Sequence, residues 1–358
     1  MASLHSIFQD IALMISDHSE DRILLERIRN KTFDWEKIVS VASSHLIIPL
    51  LYYKLKEKHV LDLLPGDLRS YLEEIARQNS ERNKTILKEV KDLSIILNSK
   101  KIDHVFLKGS AMLASGIYTN IGERMIGDID ILVHPDQLFK AQDLLIKNNY
   151  QAIETTFGQN FVEHKHLARL IPDRRLAAVE IHRKLLHRRV KGQLDPISIL
   201  SQKHKIGGVF IPSFKDLLVH AVLNFEINDY GYYYNYLGLR NTYDALKLSE
   251  KLSNKELEVI NRNLYYVSFF TKVSQYFQPQ WQDQRSLSAK LSTKFYLLKQ
   301  KNRLIRTLTY KFLNIWQFGR IILKRFFLFI RDSDYRKEVI KDRKRIHKLI
   351  SYKIKTFY

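Results

Sequence analysis

HVFLKGSAMLASGIYTNIGERMIGDIDILV, residues 104–133, is the stretch on which the fold turns. It opens on a short apolar run that ends at Gly109-Ser110. It continues through a helical AMLASGIYT, crosses a turn-like TNIGERMIG and closes on a second apolar run, DIDILV. Alternation along that last run puts Asp128 and Asp130 on one face of a strand and sends Ile129 and Ile131 into a core. A helix starting directly after a strand offers free backbone N–H groups and a partial positive charge, which suit a phosphate. Gly109 lets the backbone approach closely, Ser110 adds a hydroxyl, and Lys108 can reach the same anion. Two neighbouring carboxylates repel each other and favour a cation. With hard oxygen donors that cation is Mg²⁺ (or Mn²⁺), bridging to nucleotide phosphates. Singly, each feature also fits a plainer description: a strand–helix turn, or an edge strand with solvated acids.

Working outward, Pro135-Asp136 start another helix, PDQLFKAQDLLIKNN. QAIETT (151–156) and LAAVEIH (176–182) read as further strands. Strand, helix, strand, helix, strand within about 80 residues is a compact α/β unit. In the last strand Val179 and Ile181 face the core, so Glu180 and His182 share the opposite face. A third carboxylate on a neighbouring strand completes a two-metal site. There one ion holds a triphosphate and the other acidifies the attacking hydroxyl and stabilises the in-line transition state.

Gly-Ser opening a helix, then an acidic-x-acidic strand, then an acid on a later strand resembles the signature of the polymerase-β-like nucleotidyltransferases. More narrowly, the chain resembles the bacterial family called uncharacterised nucleotidyltransferases. The matching stretches are FLKGSAML, IYTNIGERMIGDIDILV, HKHLARLIPDRRLAAVEIHRKL, and LLVHAVLNFEI with LRNTYDAL; they span roughly residues 79–246. The resemblance implies a small mixed β-sheet with helices, flanked by helical regions, and transfer of a nucleoside monophosphate from an NTP. It implies that Gly109 and Ser110 cradle the β- and γ-phosphates, that Asp128 and Asp130 bind both metals, and that Glu180 binds the catalytic one. Arg124 would contact phosphate or acceptor, and His182 would line the site. His220, Arg240 and Asp244 would face the cleft and position the nucleotide. On the residues alone, His220 equally suits a satisfied core histidine, and Arg240 with Asp244 an ordinary i,i+4 helix pair. The turn before the acidic strand often carries prolines in that family; NIGERMIG has none, and a freer loop is expected.

The flanks are helical. Apolar residues recur at helical spacing through HLIIPLLYYKLKEKHV. They do so again along 67–99, where a polar centre, RQNSERNK, suggests a helix crossing solvent or lining a groove. After Pro212 the chain is helical again. The expected architecture is therefore α+β. It comprises a helical region over 1–100, a nucleotidyltransferase core over 101–190, a helical domain over 205–298 closing the cleft, and a basic helical tail over 299–358.

Composition narrows the chemistry. The 358 residues contain no cysteine, which excludes thiol catalysis, disulfides and Cys-zinc sites. No P-loop, EF-hand, G-x-S-x-G or HExxH motif is present. His164 and His166 stand at i and i+2 without a third ligand at zinc spacing, and read as surface or supporting histidines. Acids inside the first apolar stretch argue against a signal peptide. Basic residues interrupt 315–330, which is short for a span needing ~20 apolar residues. A soluble, cytoplasmic protein is expected.

Lys and Arg number 59 against 38 Asp and Glu, a net charge of +21. Residues 299–358 hold 18 of the bases and 4 of the acids. Such a field favours polyanions. Over 311–331, Gln317, Arg320, Lys324 and Arg331 share one helical face and Phe, Ile and Leu fill the rest. That segment could pack on the core with a basic outer face, lie on an anionic membrane, or contact an RNA backbone together with DRKRIHKLISYKIK. The acceptors the charge suggests are RNA (tRNA especially), then a protein side chain, then a small molecule. The alternative from another class is a catalytically idle module that binds RNA or an anionic membrane through the basic C-terminal region.

Overall fold

The computed structural model describes residues 3–19, 21–153, 165–173, 175–187, 190, 194–260, 263–278 and 287–355; at 349, 350 and 352–355 it describes the backbone alone. Two compact units divide the chain: 1–153 with 165–297, and 154–164 with 298–358.

The first unit opens with helices α1 (Leu4–Ile15), α2 (Asp21–Arg29), α3 (Trp35–Ser44), α4 (Ile48–Glu57) and the 34-residue α5 (Gly66–Ser99). Local chemistry sets their ends. Ser3 caps α1 by accepting from the Ser6 amide and Asp34 caps α3 by accepting from Lys37, while Pro49 lies in the first turn of α4.

A five-stranded sheet follows, in the order β1-β2-β5-β4-β3. Its strands are β1 (His104–Leu107), β2 (Asp128–Val133), β3 (Tyr150–Ala152), β4 (Leu170–Pro172) and β5 (Ala178–His182). β2 pairs antiparallel with β1 and parallel with β5; β4 pairs antiparallel with both β5 and β3. The mixed sheet and helical flanks are the expected α+β fold. Helix α6 (Lys108–Ser115) joins β1 to the loop before β2, and α7 (Leu138–Lys147) joins β2 to β3 after a single 3-10 turn. QAIETT is strand only to Ala152; its last three residues lie outside the described residues. β4 is a strand the periodicity did not mark, being three residues long with a proline at its end.

Helix α8 (Pro196–Ser201) leads to a hairpin, β6 (His204–Ile206) and β7 (Val209–Ile211). Gly207 and Gly208 both have positive φ there, the conformation a two-residue hairpin turn requires. Then come α9 (Phe214–Leu223), a π turn over Asn224–Asn228, α10 (Gly231–Tyr234), α11 (Leu239–Ser249), α12 (Asn254–Ile260), α13 (Leu264–Val273) and α14 (Leu287–Lys301). One continuous core runs from Ile7 to Tyr296.

The polar centre of α5 does not cross solvent. Asn79 and Asn83, one turn apart, are buried and donate into the loop before β2. Asn79 Nδ2 reaches the carbonyls of Gly122 (2.6 Å) and Arg124 (3.1 Å); Asn83 Nδ2 reaches those of Ile121 (2.6 Å) and Arg124 (2.8 Å). Arg82 adds a bond to Ile126 O at 3.2 Å. The loop lacks prolines, and these side chains hold it instead.

The second unit contains α15 (Arg303–Arg331), α16 (Ser333–Lys341) and α17 (Arg343–Lys355). Arg336 turns α16 back on α15 by donating to the carbonyls of Phe329 and Ile330, and Tyr335 is buried with its hydroxyl bonded by Arg325. No residue of α15 is fully buried. Leu304, Leu308, Phe312, Ile315, Trp316, Phe326 and Ile330 are exposed, while Leu313, Phe318, Leu328 and Phe329 are half-buried.

Candidate active site

The parallel pairing of β2 with β5 sets Asp130 opposite Glu180 and Asp128 opposite Ala178; on the other side, Leu107 of β1 lies opposite Asp130. Ile129, Ile131, Val179 and Ile181 are buried beneath the sheet. Asp128, Asp130, Glu180 and His182 therefore rise together from the other face. Asp130 is 2% exposed, and its Oδ1 accepts from Lys108 Nζ at 2.5 Å and from His182 Nε2 at 2.7 Å. Glu180 Oε2 lies 3.7 Å from Nε2 of both His182 and His166. One ligand atom each of Asp130, Glu180 and His182 falls within a 4.8 Å group. Asp128 is more open, with Arg169 at 3.7 Å from its carboxylate.

The charges shape one another. Burial and the negative charges of Asp130 and Glu180 push the Asp128 carboxyl up. Burial would raise Asp130 too, but Lys108 and His182 outweigh it and hold it below its ordinary range. Glu180 is lowered, chiefly by the His182 imidazole 3.7 Å away. His182 is raised: burial opposes its charge, and the bond to Asp130 and the nearby Glu180 carboxylate overcome that. The same contest, settled by Asp130, raises Lys108. Lys108 also has φ +48°, a left-handed conformation that costs an L side chain ~1 kcal/mol or more. Strain thus sits at the residue whose amine meets the acids.

The glycine and serine of the β1–α6 turn also have structural roles. Ser110 is fully buried and its hydroxyl donates to Leu107 O at 2.8 Å, securing the turn. Gly109 faces the Arg124 guanidinium: a Cβ there would meet Nη1 at 2.2 Å. Arg124 is held from the far side by Asp244, with Nε 2.9 Å from Oδ2, and Asp244 also accepts from the Tyr118 hydroxyl at 2.6 Å. Asp244 is buried and bonds Arg124 across 120 residues of sequence rather than Arg240 one turn away. Burial opposes the Arg124 charge, yet Asp244 raises its pKa further.

Arg240 is half-buried and has no hydrogen-bond or ion-pair partner among the described residues. Burial, then the nearby Arg124, lowers its pKa, against the pull of Asp244 and Asp229. His220 is buried with Nε2 unpartnered; burial and the positive charges of Lys108 and His182 bring its pKa down to about 3. His164 lies outside the described residues. His166, its neighbour, bridges to His182 beside β5, with the rings 5.4 Å apart. The same bridge carries in Lys165, whose pKa is lowered by burial and by Lys108. Lys165, Asp229 and Tyr118 had no local signal in the sequence.

A family model described as "uncharacterised nucleotidyltransferase" matches residues 31–262. The chain belongs to this family. The match encloses every residue of the cluster, from Lys108 to Asp244, and leaves α15, α16 and α17 outside. No curated protein matches the chain.

Proposed function

We propose that this nucleotidyltransferase moves a nucleoside monophosphate from an NTP to an acceptor hydroxyl, using divalent metal held by Asp128, Asp130 and Glu180. The supporting observation is the register of Asp130 opposite Glu180 on adjacent parallel strands, with Asp128 two residues along the same face. The donor set fits such an ion. It combines hard carboxylate oxygens with mutual repulsion, which adds to burial in raising the Asp128 carboxyl and which a cation relieves. A bound divalent ion supplies neutralisation of the phosphate oxygens and a more acidic acceptor hydroxyl.

The chain's own groups do the rest. His182 donates to Asp130 and fixes the direction in which that carboxylate points. Lys108, Lys165 and Arg240 bring positive charge to the face where a triphosphate would lie. Gly109 and Ser110 open α6 toward the same anion. Arg124, His220 and Asp244 shape the wall beneath it, and the helices of 205–298 close over the nucleotide. Attack on the α-phosphorus displaces pyrophosphate. RNA leads as acceptor because of the +21 net charge.

Calorimetry of NTP binding with and without Mg²⁺ tests the assignment. Binding should need the metal and be lost in Asp128→Asn and Asp130→Asn proteins that keep their circular dichroism. Equal affinity without Mg²⁺ would fit a catalytically idle module instead.

A further inference from the structure

Helix α15 contains seven Lys and Arg and no Asp or Glu across 29 residues. Its rise makes it about 43 Å long. Leu308, Phe312, Ile315, Trp316, Phe326 and Ile330 recur at helical spacing along one face, each between 53% and 65% exposed. Tyr310, Leu313, Asn314 and Phe318 occupy the opposite face and are half-buried. The helix thus already has a packed side, and the apolar face is the other one. Exposed Lys311, Arg320, Lys324 and Arg331 border that face. An apolar strip of this length on a folded chain marks a binding surface.

We propose that α15 lies in the plane of an anionic lipid bilayer, its apolar face among the acyl chains and its bordering cations at the headgroup phosphates. Charge complementarity selects this occupant. A second copy of the chain would set two acid-free basic helices against each other. An RNA backbone would engage the cations but leave Leu, Ile and Phe facing phosphate. A bilayer surface satisfies both at once: the long Lys and Arg stems reach up to the headgroups, and Trp316 sits where indole prefers the interface. No helix among the described residues is long and apolar enough to cross a membrane, so the geometry is that of an in-plane helix. The family match ends before this helix, and the proposal stands independently of the nucleotide chemistry.

Flotation of the full chain with vesicles tests it. The chain should float with vesicles of equal parts phosphatidylcholine and phosphatidylglycerol, and at least about tenfold less with phosphatidylcholine alone or at high salt. Trp emission should shift to the blue on binding, and Trp316→Phe should abolish the shift. Phe312→Glu with Phe326→Glu should cut flotation about tenfold with circular dichroism unchanged, since both side chains are exposed. Three results would overturn the proposal: no flotation with either vesicle, flotation indifferent to phosphatidylglycerol, or a double variant that elutes at half the mass of the parent. The last would make the face a contact between copies.

Discussion

The Arg124 guanidinium occupies the space that a side chain at position 109 would need, with Nη1 2.2 Å from where a Cβ of Gly109 would stand. Gly109 is thus required by an arginine as well as by any phosphate above it. Gly109→Ala should push Arg124 off Asp244 and destabilise the protein by roughly 1–3 kcal/mol, the usual cost of overpacking. Urea denaturation measures this; an unchanged midpoint would mean that Arg124 simply swings aside.

The Arg124–Asp244 pair is buried on both sides. Asp244→Asn leaves a buried guanidinium uncompensated and should cost ~3–5 kcal/mol. Replacing both partners, Arg124→Met with Asp244→Leu, should restore most of that stability. Nucleotide transfer should stay low if Arg124 also serves the substrate. Full recovery of transfer in the double variant would reduce the pair to a structural role.

Arg240 predicts the opposite pattern. It is half-buried with no hydrogen-bond or ion-pair partner among the described residues, so removing it relieves a poorly compensated charge. Arg240→Gln should leave stability equal or slightly higher while weakening NTP binding about tenfold. Parallel calorimetry and thermal melts separate the two effects; loss of stability with unchanged affinity would contradict the account.

Acid should destabilise the fold through half-buried His45 and buried His220. Burial, then Arg240, lowers His45 from 6.5 to about 4, and His220 moves the same way. Between those values the unfolded chain binds protons that the folded protein refuses. Stability is therefore full above pH 6.5 and falls as the pH drops toward 4, by up to ~1.4 kcal/mol per pH unit per histidine. His45 Nδ1 accepts from the Leu239 amide at 3.2 Å, a bond that Asn can mimic. His45→Asn should flatten the dependence of the denaturation midpoint on pH; an unaltered slope would assign the acid sensitivity elsewhere.

What the sequence made legible was local. Period-two alternation in DIDILV and AVEIH places Asp128, Asp130 and Glu180 on one face, because one buried face fixes every second side chain. The Gly207-Gly208 pair between β6 and β7 carries a hairpin signal of its own. RQNSERNK was polar for a reason that helical periodicity cannot express: Asn79 and Asn83 serve carbonyls some 40 residues away. Helical spacing pairs Asp244 with Arg240, its helix neighbour, whereas its ion-pair partner is Arg124. Lys165 and Asp229 join the cluster only through the bridge beside β5 and the π turn after α9. Long-range pairing of this kind leaves no spacing to read.

The central claim is tested most directly by the position of the label that moves. Protein incubated with Mg²⁺, cell lysate and NTP labelled at the α-phosphorus should transfer label to an acceptor, γ-labelled NTP should transfer none, and Asp130→Asn should abolish the signal. Transfer of the γ-label, or α-label transfer that survives in Asp130→Asn, would contradict nucleotidyl transfer by this cluster.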